Sequence, residues 1–248
     1  MQWNANMTKA ERTFWERTRG IPREWQDFWL LGHTNNFLTE WYGIDPMHIN
    51  EDPQNLRAYT IPYFDPGGGF KTVQLRFEVQ NGRGKYQFVK HLGTAASVSN
   101  PSQDLKFVVL HEGALKARIA YLYGTEGKVN TVSYPSEQDW KTVLPLLKET
   151  EVAVVWGDPG SWFIPHGWKP SSIEPCWIAH PVRLGKALKA TYPSMEVLVV
   201  DYGRRDATDK VDDMLLRGDL NTHKYQHIVH TARPLSRIRV FEHGVKAK

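Results

Sequence analysis

The stretch Leu105-Lys-Phe-Val-Val-Leu-His-Glu-Gly-Ala-Leu-Lys-Ala-Arg118 constrains this chain more than any other. Leu105 to Leu110 is a short apolar run with β-branched residues, which predicts a buried strand. It stops at Glu112-Gly113, and Ala114 to Tyr123 then places apolar residues on one face of a helix. A carboxylate at the carboxyl end of a buried parallel strand sits where α/β sheets put their chemistry. Gly113 adds no side chain beside it, so a phosphate or a metal could come close. The same residues would equally make an ordinary strand-to-helix turn with Glu112 facing water.

The pattern then repeats. Val129 to Val132 reads as a strand, and Ser136 to Lys148 as a helix that Pro145 kinks or ends early. Val152 to Trp156 is a second buried strand, closing on Gly157-Asp158-Pro159-Gly160. After a connector over 161–180, Leu184 to Tyr192 returns as a helix, and Val197 to Val200 is a strand ending at Asp201. Asp206, Asp209, Asp212 and Asp213 follow. Right-handed crossovers present the carboxyl ends of such strands along one edge, so separate acids would converge there. Converging carboxylates repel unless a cation holds them, and hard oxygen ligands favour Mg²⁺ or Mn²⁺. Such ions can align a hydroxyl with a polyphosphate. The plainer reading is that Asp is common in loops after strands.

Upstream the pattern differs. Residues 8–31 predict two short helices, the first opened by the capping box Thr8-Lys-Ala-Glu11 and the second starting at Pro22. Residues 57–92 predict an antiparallel unit: Tyr59 to Phe64, a turn over Asp65 to Gly69, Phe70 to Val79, a turn over Asn81 to Gly84, and Lys85 to Lys90. Arg76, Arg83, Lys85, Lys90 and His91 form a loose basic group there, either a solvated sheet face or a groove for phosphates. The small polar stretch 94–104 marks the domain boundary. The fold class is therefore α+β with an antiparallel sheet over 1–103, then an α/β, Rossmann-like, mostly parallel sheet over 104–220. A basic C-terminal extension over 221–248 carries a possible strand at Ile238 to Phe241.

Composition narrows the classes. The net charge of +4 is compatible with a nucleic-acid or nucleotide partner without requiring one. A single cysteine, Cys176, rules out internal disulfides and a cysteine-rich zinc module. His166, Cys176 and His180 lack a zinc-site spacing and read as part of a packed, Trp-rich connector. No apolar run approaches the roughly 20 residues of a membrane span, and Met1-Gln-Trp-Asn lacks a secretory pattern. A soluble cytoplasmic protein is the expectation.

Taken in order, His111-Glu-Gly-Ala-Leu-Lys-Ala117 after an apolar strand, Trp156-Gly-Asp-Pro-Gly160 and Asp209-Lys-Val-Asp-Asp-Met-Leu-Leu-Arg-Gly218 resemble the motifs of a TOPRIM domain. More narrowly, the chain resembles the catalytic core of DnaG-type and phage or plasmid replicative primases. Ile61-Pro-Tyr-Phe-Asp65, Gln74-Leu-Arg76 and Gly84-Lys-Tyr86 resemble the segment before TOPRIM in those enzymes. Arg19-Gly-Ile-Pro22 through Leu31-Gly32 resembles its start, so the likeness runs over roughly 12–220.

The resemblance implies synthesis of short RNA primers on single-stranded DNA from ribonucleoside triphosphates, with Mg²⁺ or Mn²⁺ as cofactor. Glu112, Asp158 and Asp213 would be catalytic; Glu112, Asp158, Asp209, Asp212 and Asp213 would hold metal. Arg76, Lys85, Tyr86, Lys90 and Lys116 would bind nucleotide or template. The family's second motif is usually Asp-x-Asp, whereas Asp158 is followed by Pro159 and Gly160, so either one ligand is missing or the connector brings a substitute such as His166, Glu174 or His180. The family's zinc module and helicase are absent from the sequence, which implies a separate helicase or template-recognition subunit as partner. A TOPRIM nuclease, and a non-catalytic core binding single-stranded DNA or a replication partner, are the alternatives.

Overall fold

The computed structural model describes residues 2–80, 82, 84–136, 138–159, 180–200 and 209–238. Two compact units divide the chain at Ala95/Ala96, inside the small polar stretch.

In the first unit, α1 (Gln2–Ala5) and α2 (Lys9–Thr13) precede a π-helical turn, Phe14–Thr18, and α3 (Arg23–Phe28). Thr8 caps α2 with both halves of the capping box in place: its hydroxyl accepts from the Glu11 amide, and Glu11 accepts from the Thr8 amide. The Glu11 carboxylate also meets His33 Nδ1 at 3.0 Å, while His33 Nε2 lies 2.9 Å from Glu78. These two contacts tie the helical head to the sheet.

His33 lies on β1 (Gly32–Thr34), a strand where the sequence predicts only a helix end. Then come α4 (Phe37–Tyr42), β2 (Ala58–Phe64), β3 (Phe70–Phe77) and β4 (Tyr86–Phe88), giving an antiparallel sheet in the order β1-β2-β3-β4. Val73, Leu75 and Phe77 face the core as their alternation predicts. Val79 falls beyond the end of β3 and is exposed.

The second unit carries a mixed sheet. Its elements are β5 (Ser97–Val98), β6 (Phe107–Glu112), α5 (Ala114–Ile119), β7 (Asn130–Tyr134), β8 (Val152–Trp156), α6 (His180–Thr191), β9 (Glu196–Val199), α7 (Val211–Arg217), α8 (Thr222–His230) and β10 (Arg233–Pro234). Among the described residues the order is β10-β9-β8-β6-β7-β5. The four inner strands are parallel and both edge strands antiparallel. A strand covered on both faces reads as a continuous apolar run, which explains Val108, Val109 and Leu110, all fully buried. No described helix is long and apolar enough to cross a membrane.

Three details differ from the sequence-based expectation. Trp140–Leu147 is a 3-10 helix with Pro145 inside it, because proline has no N–H to close an α-helical turn. A two-residue strand, β10, and a 3-10 turn, Leu235–Arg237, form where the sequence predicts no element; the expected strand at Ile238 to Phe241 lies, beyond Ile238, outside the described residues. Helix α8 lies in the stretch read as an extension, and the aromatic ring of its Tyr225 packs on Trp156, centroids 4.8 Å apart.

That packing requires Gly124. A Cβ there would sit 2.7 Å from the Tyr225 ring. Gly124→Ala should therefore destabilise the fold by about 1–3 kcal/mol, the usual cost of overpacking a filled core. Denaturant unfolding measures it, and an unchanged midpoint would show that Tyr225 can move aside.

Candidate active site

Strand β6 runs between β7 and β8, parallel to both, and ends at Glu112, which is half-buried. Gly113 then turns the chain with φ +82°, a left-handed value that only glycine adopts without strain. Its amide donates to the Tyr134 carbonyl at 2.8 Å, and its own carbonyl accepts the first α5 bond from Ala117 at 3.2 Å. This turn places Lys116 one turn into a helix whose residues are all buried.

A buried ammonium needs a partner, and Lys116 finds Asp158, two residues past β8. Its Nζ donates to Asp158 Oδ1, with the lysine side chain 8% exposed and the aspartate 15%. The other oxygen, Oδ2, faces Lys210 Nζ at 3.4 Å. Asp158 thus lies between two ammonium groups. It raises the pKa of Lys210, and Asp212 and Glu112 act in the same direction more weakly.

Asp212 completes the group. Burial pushes its carboxyl up, Lys116 pulls it back down, and Asp213 and Asp158 push it up again. Its Oδ1 has no hydrogen-bond partner among the described residues. Asp209 is drawn elsewhere, to Arg217 at 3.2 Å, on an exposed surface. Asp213 is exposed and reaches the group only through its charge on Asp212.

The structure therefore brings Glu112, Asp158 and Asp212 into one electrostatic neighbourhood, with Lys116 and Lys210 between them. Lys210 was not singled out in the sequence; a lysine inside an acidic run was the available signal. Asp201, Asp206, His166, Glu174 and Cys176 lie outside the described residues. His180 is buried against Tyr134, ring centroids 5.2 Å apart, with both ring nitrogens unpartnered among the described residues.

The divalent ion that the resemblance implies needs several oxygens free to converge. Among the described residues, no three acids, histidines or cysteines are placed to hold a metal ion. Asp158 has one oxygen on each lysine. The donor set as it stands does not fit such an ion.

The basic residues lie on the first unit. Arg76 faces Tyr59 on one neighbouring strand and Tyr86 on the other. Its guanidinium lies over the Phe14 ring, 4.8 Å from the centroid. Tyr86 is 37% exposed, and its hydroxyl accepts from Arg19 at 3.0 Å. Lys85 lies 5.9 Å from the Tyr86 ring centroid. Lys90 is exposed on a 3-10 turn, its amide donating to the Tyr42 hydroxyl. Arg83 lies outside the described residues.

The fold has known counterparts. No protein-family model matches the sequence, and no curated protein matches it. Solved structures do match. A structure of the Aquifex aeolicus primase, holding its zinc-binding and RNA polymerase domains, matches with a TM-score of 0.63 at 14% identity, over 93% of this chain and 57% of that one. The E. coli primase catalytic core also gives 0.63 at 14% identity, over 95% and 78%. A DnaG primase catalytic domain bound to single-stranded DNA gives 0.60 at 14%, over 95% and 79%. The chain thus spans little more than half the length of the first of these. Its fold is that of the DnaG-type primase catalytic core: an antiparallel sheet followed by a mixed, mainly parallel one.

Beneath Glu112 sits His111, completely buried, with Nε2 2.9 Å from the Tyr225 hydroxyl. Burial, and then the charge of Lys116, pushes its pKa down to about 3, so the folded ring is neutral. Burial likewise takes His180 down to about 4. A histidine released by unfolding titrates near ~6.5. Between those values the unfolded chain binds protons that the folded one refuses, so stability is lost as pH falls below about 6.5. His111 alone should make the protein about 2 kcal/mol less stable at pH 5 than at pH 7. Asp212, with its carboxyl pushed up, acts in the opposite sense where carboxylates titrate. Denaturant unfolding at both pH values checks this, and equal stability would rule out a neutral buried ring.

Proposed function

We propose that the chain is a primase-like nucleotidyltransferase core that joins ribonucleotides into short primers on a single-stranded DNA template. One observation carries the reading: nearly the whole chain has the fold of primase catalytic cores, one of them solved with single-stranded DNA. Residues 1–103 act as the nucleotide and template subdomain, 104–220 as a TOPRIM domain and 221–248 as an extension. Arg76, Lys85 and Lys90 meet phosphates, where charge-assisted hydrogen bonds are strongest. Exposed Tyr86 offers a face on which a base can stack.

In the reaction, a 3′-hydroxyl oxygen bonds to the α-phosphorus of the incoming nucleotide, and the bond to pyrophosphate breaks. Glu112, half-buried at the end of β6, accepts the hydroxyl proton. Template choice and processivity fall to partners: a replicative helicase or a zinc-binding recognition subunit. The setting is the cytoplasm of a bacterial or phage-infected cell.

A second reading has a specific observation in its favour. Asp158 is held by two lysines, as suits a core retained to bind template without synthesis. Primer synthesis on single-stranded DNA, run beside a binding assay, separates the two. Glu112→Ala should lower synthesis by about 10²-fold or more while leaving DNA affinity nearly unchanged. Undiminished synthesis by that variant would remove the proposal. Binding by the parent without synthesis under any metal would establish the second reading, and cleavage of the DNA would point to a TOPRIM nuclease.

The template surface is tested separately. Arg76→Ala and Lys85→Ala should each weaken single-stranded DNA binding and reduce its salt slope by about 0.7. An unchanged slope would place the DNA elsewhere.

A further inference from the structure

We infer that Lys116 and Lys210 are built-in counter-cations at Asp158, filling the place at the sheet edge where a divalent ion would otherwise bind. The two ammonium groups bracket the carboxylate, one on each oxygen. They supply two positive charges to a group whose acids are Glu112, Asp158 and Asp212. Two of the three acidic charges are therefore balanced within the chain.

The two lysines differ in kind. Lys116 is buried in α5, and withdrawing it from Asp158 would leave an unpaired ammonium in the interior, the costly way to break a buried ion pair. Lys210 is 55% exposed at the N-terminal boundary of α7 and can leave for water. A divalent ion competing for Asp158 must displace Lys210 and then lie close to the Lys116 charge. Like-charge repulsion in a partly buried site is screened far less than at a surface. The edge should therefore accept a divalent ion well only once a lysine is removed.

This inference concerns ion occupancy alone and stands whether or not the core synthesises primers. The probe is Mn²⁺, titrated by calorimetry into the full chain and into Lys210→Ala, Lys116→Met and Lys210→Ala/Asp158→Asn. The parent should bind weakly, and Lys210→Ala about tenfold or more tightly, as expected for removing one neighbouring charge. Lys116→Met should also gain affinity, and the double variant should lose the gain. Circular dichroism confirms that each variant is folded; Lys210→Ala, which alters an exposed side chain, keeps the test open should Lys116→Met fail to fold. Affinity for Mn²⁺ left unchanged by the lysine substitutions, whether all forms bind or none do, would overturn the inference. So would a gain that Asp158→Asn does not abolish.

Discussion

The ammonium of Lys116 cannot stand alone in the interior of α5. Removing such an ion from water costs several kcal/mol even after relaxation, so the fold must supply a carboxylate within reach. Asp158 is that carboxylate, and it comes from the end of a different strand. The pair therefore couples the β6–α5 turn to the segment after β8. Parallel pairing of β6 with β8, register Leu110 to Val155, brings the two strand ends level. Backbone register places the charges, and the charges then hold the two loops together.

Beneath that pair is a layer of a different character. Trp156 and Tyr225 stack in the interior with the His111 ring tilted against them, joined by the bond between the His111 imidazole and the Tyr225 hydroxyl. A neutral imidazole can sit directly below a lysine without adding to the positive charge there. Helix α8 supplies Tyr225, so a segment beyond the acidic run supports the edge from behind. Gly124 leaves the space that the ring needs.

Most of the second sheet was legible because its strands are buried on both faces. Runs such as Val152 to Trp156 have few alternatives, and Glu112 follows directly from where such a run stops. Strand β1 was not legible: three residues, Gly32 to Thr34, carry no periodicity, and β2 pairing makes them a strand. The 3-10 character of Trp140–Leu147 turned on Pro145, visible in the sequence but compatible with a kink or a stop. For the site, the acids were legible by type and position, but their partners were not. Nothing in Asp209-Lys-Val-Asp states that the lysine turns to Asp158 while Asp209 turns to Arg217. Those choices depend on helix α7 starting at Val211, which orients the residues on either side of it.

Local conflict at the edge is itself informative. A buried lysine, a buried aspartate with an oxygen unpartnered among the described residues, and a left-handed glycine all belong to this one edge. The first two are unfavourable alone, and sequences break local rules together mainly where function requires it. Stability alone would be served better by apolar residues in place of Lys116 and Asp158, since a buried ion pair rarely exceeds hydrophobic packing of similar volume. Retaining the charges therefore argues for a role at the surface where Glu112 emerges, in the field that the two lysines and three acids jointly set. Whether Asp212 carries its proton decides whether these five groups together are neutral or carry one negative charge. Burial raises the pKa of Asp212 and Lys116 lowers it, so the charge of the edge depends on the same buried ammonium that holds the loops together.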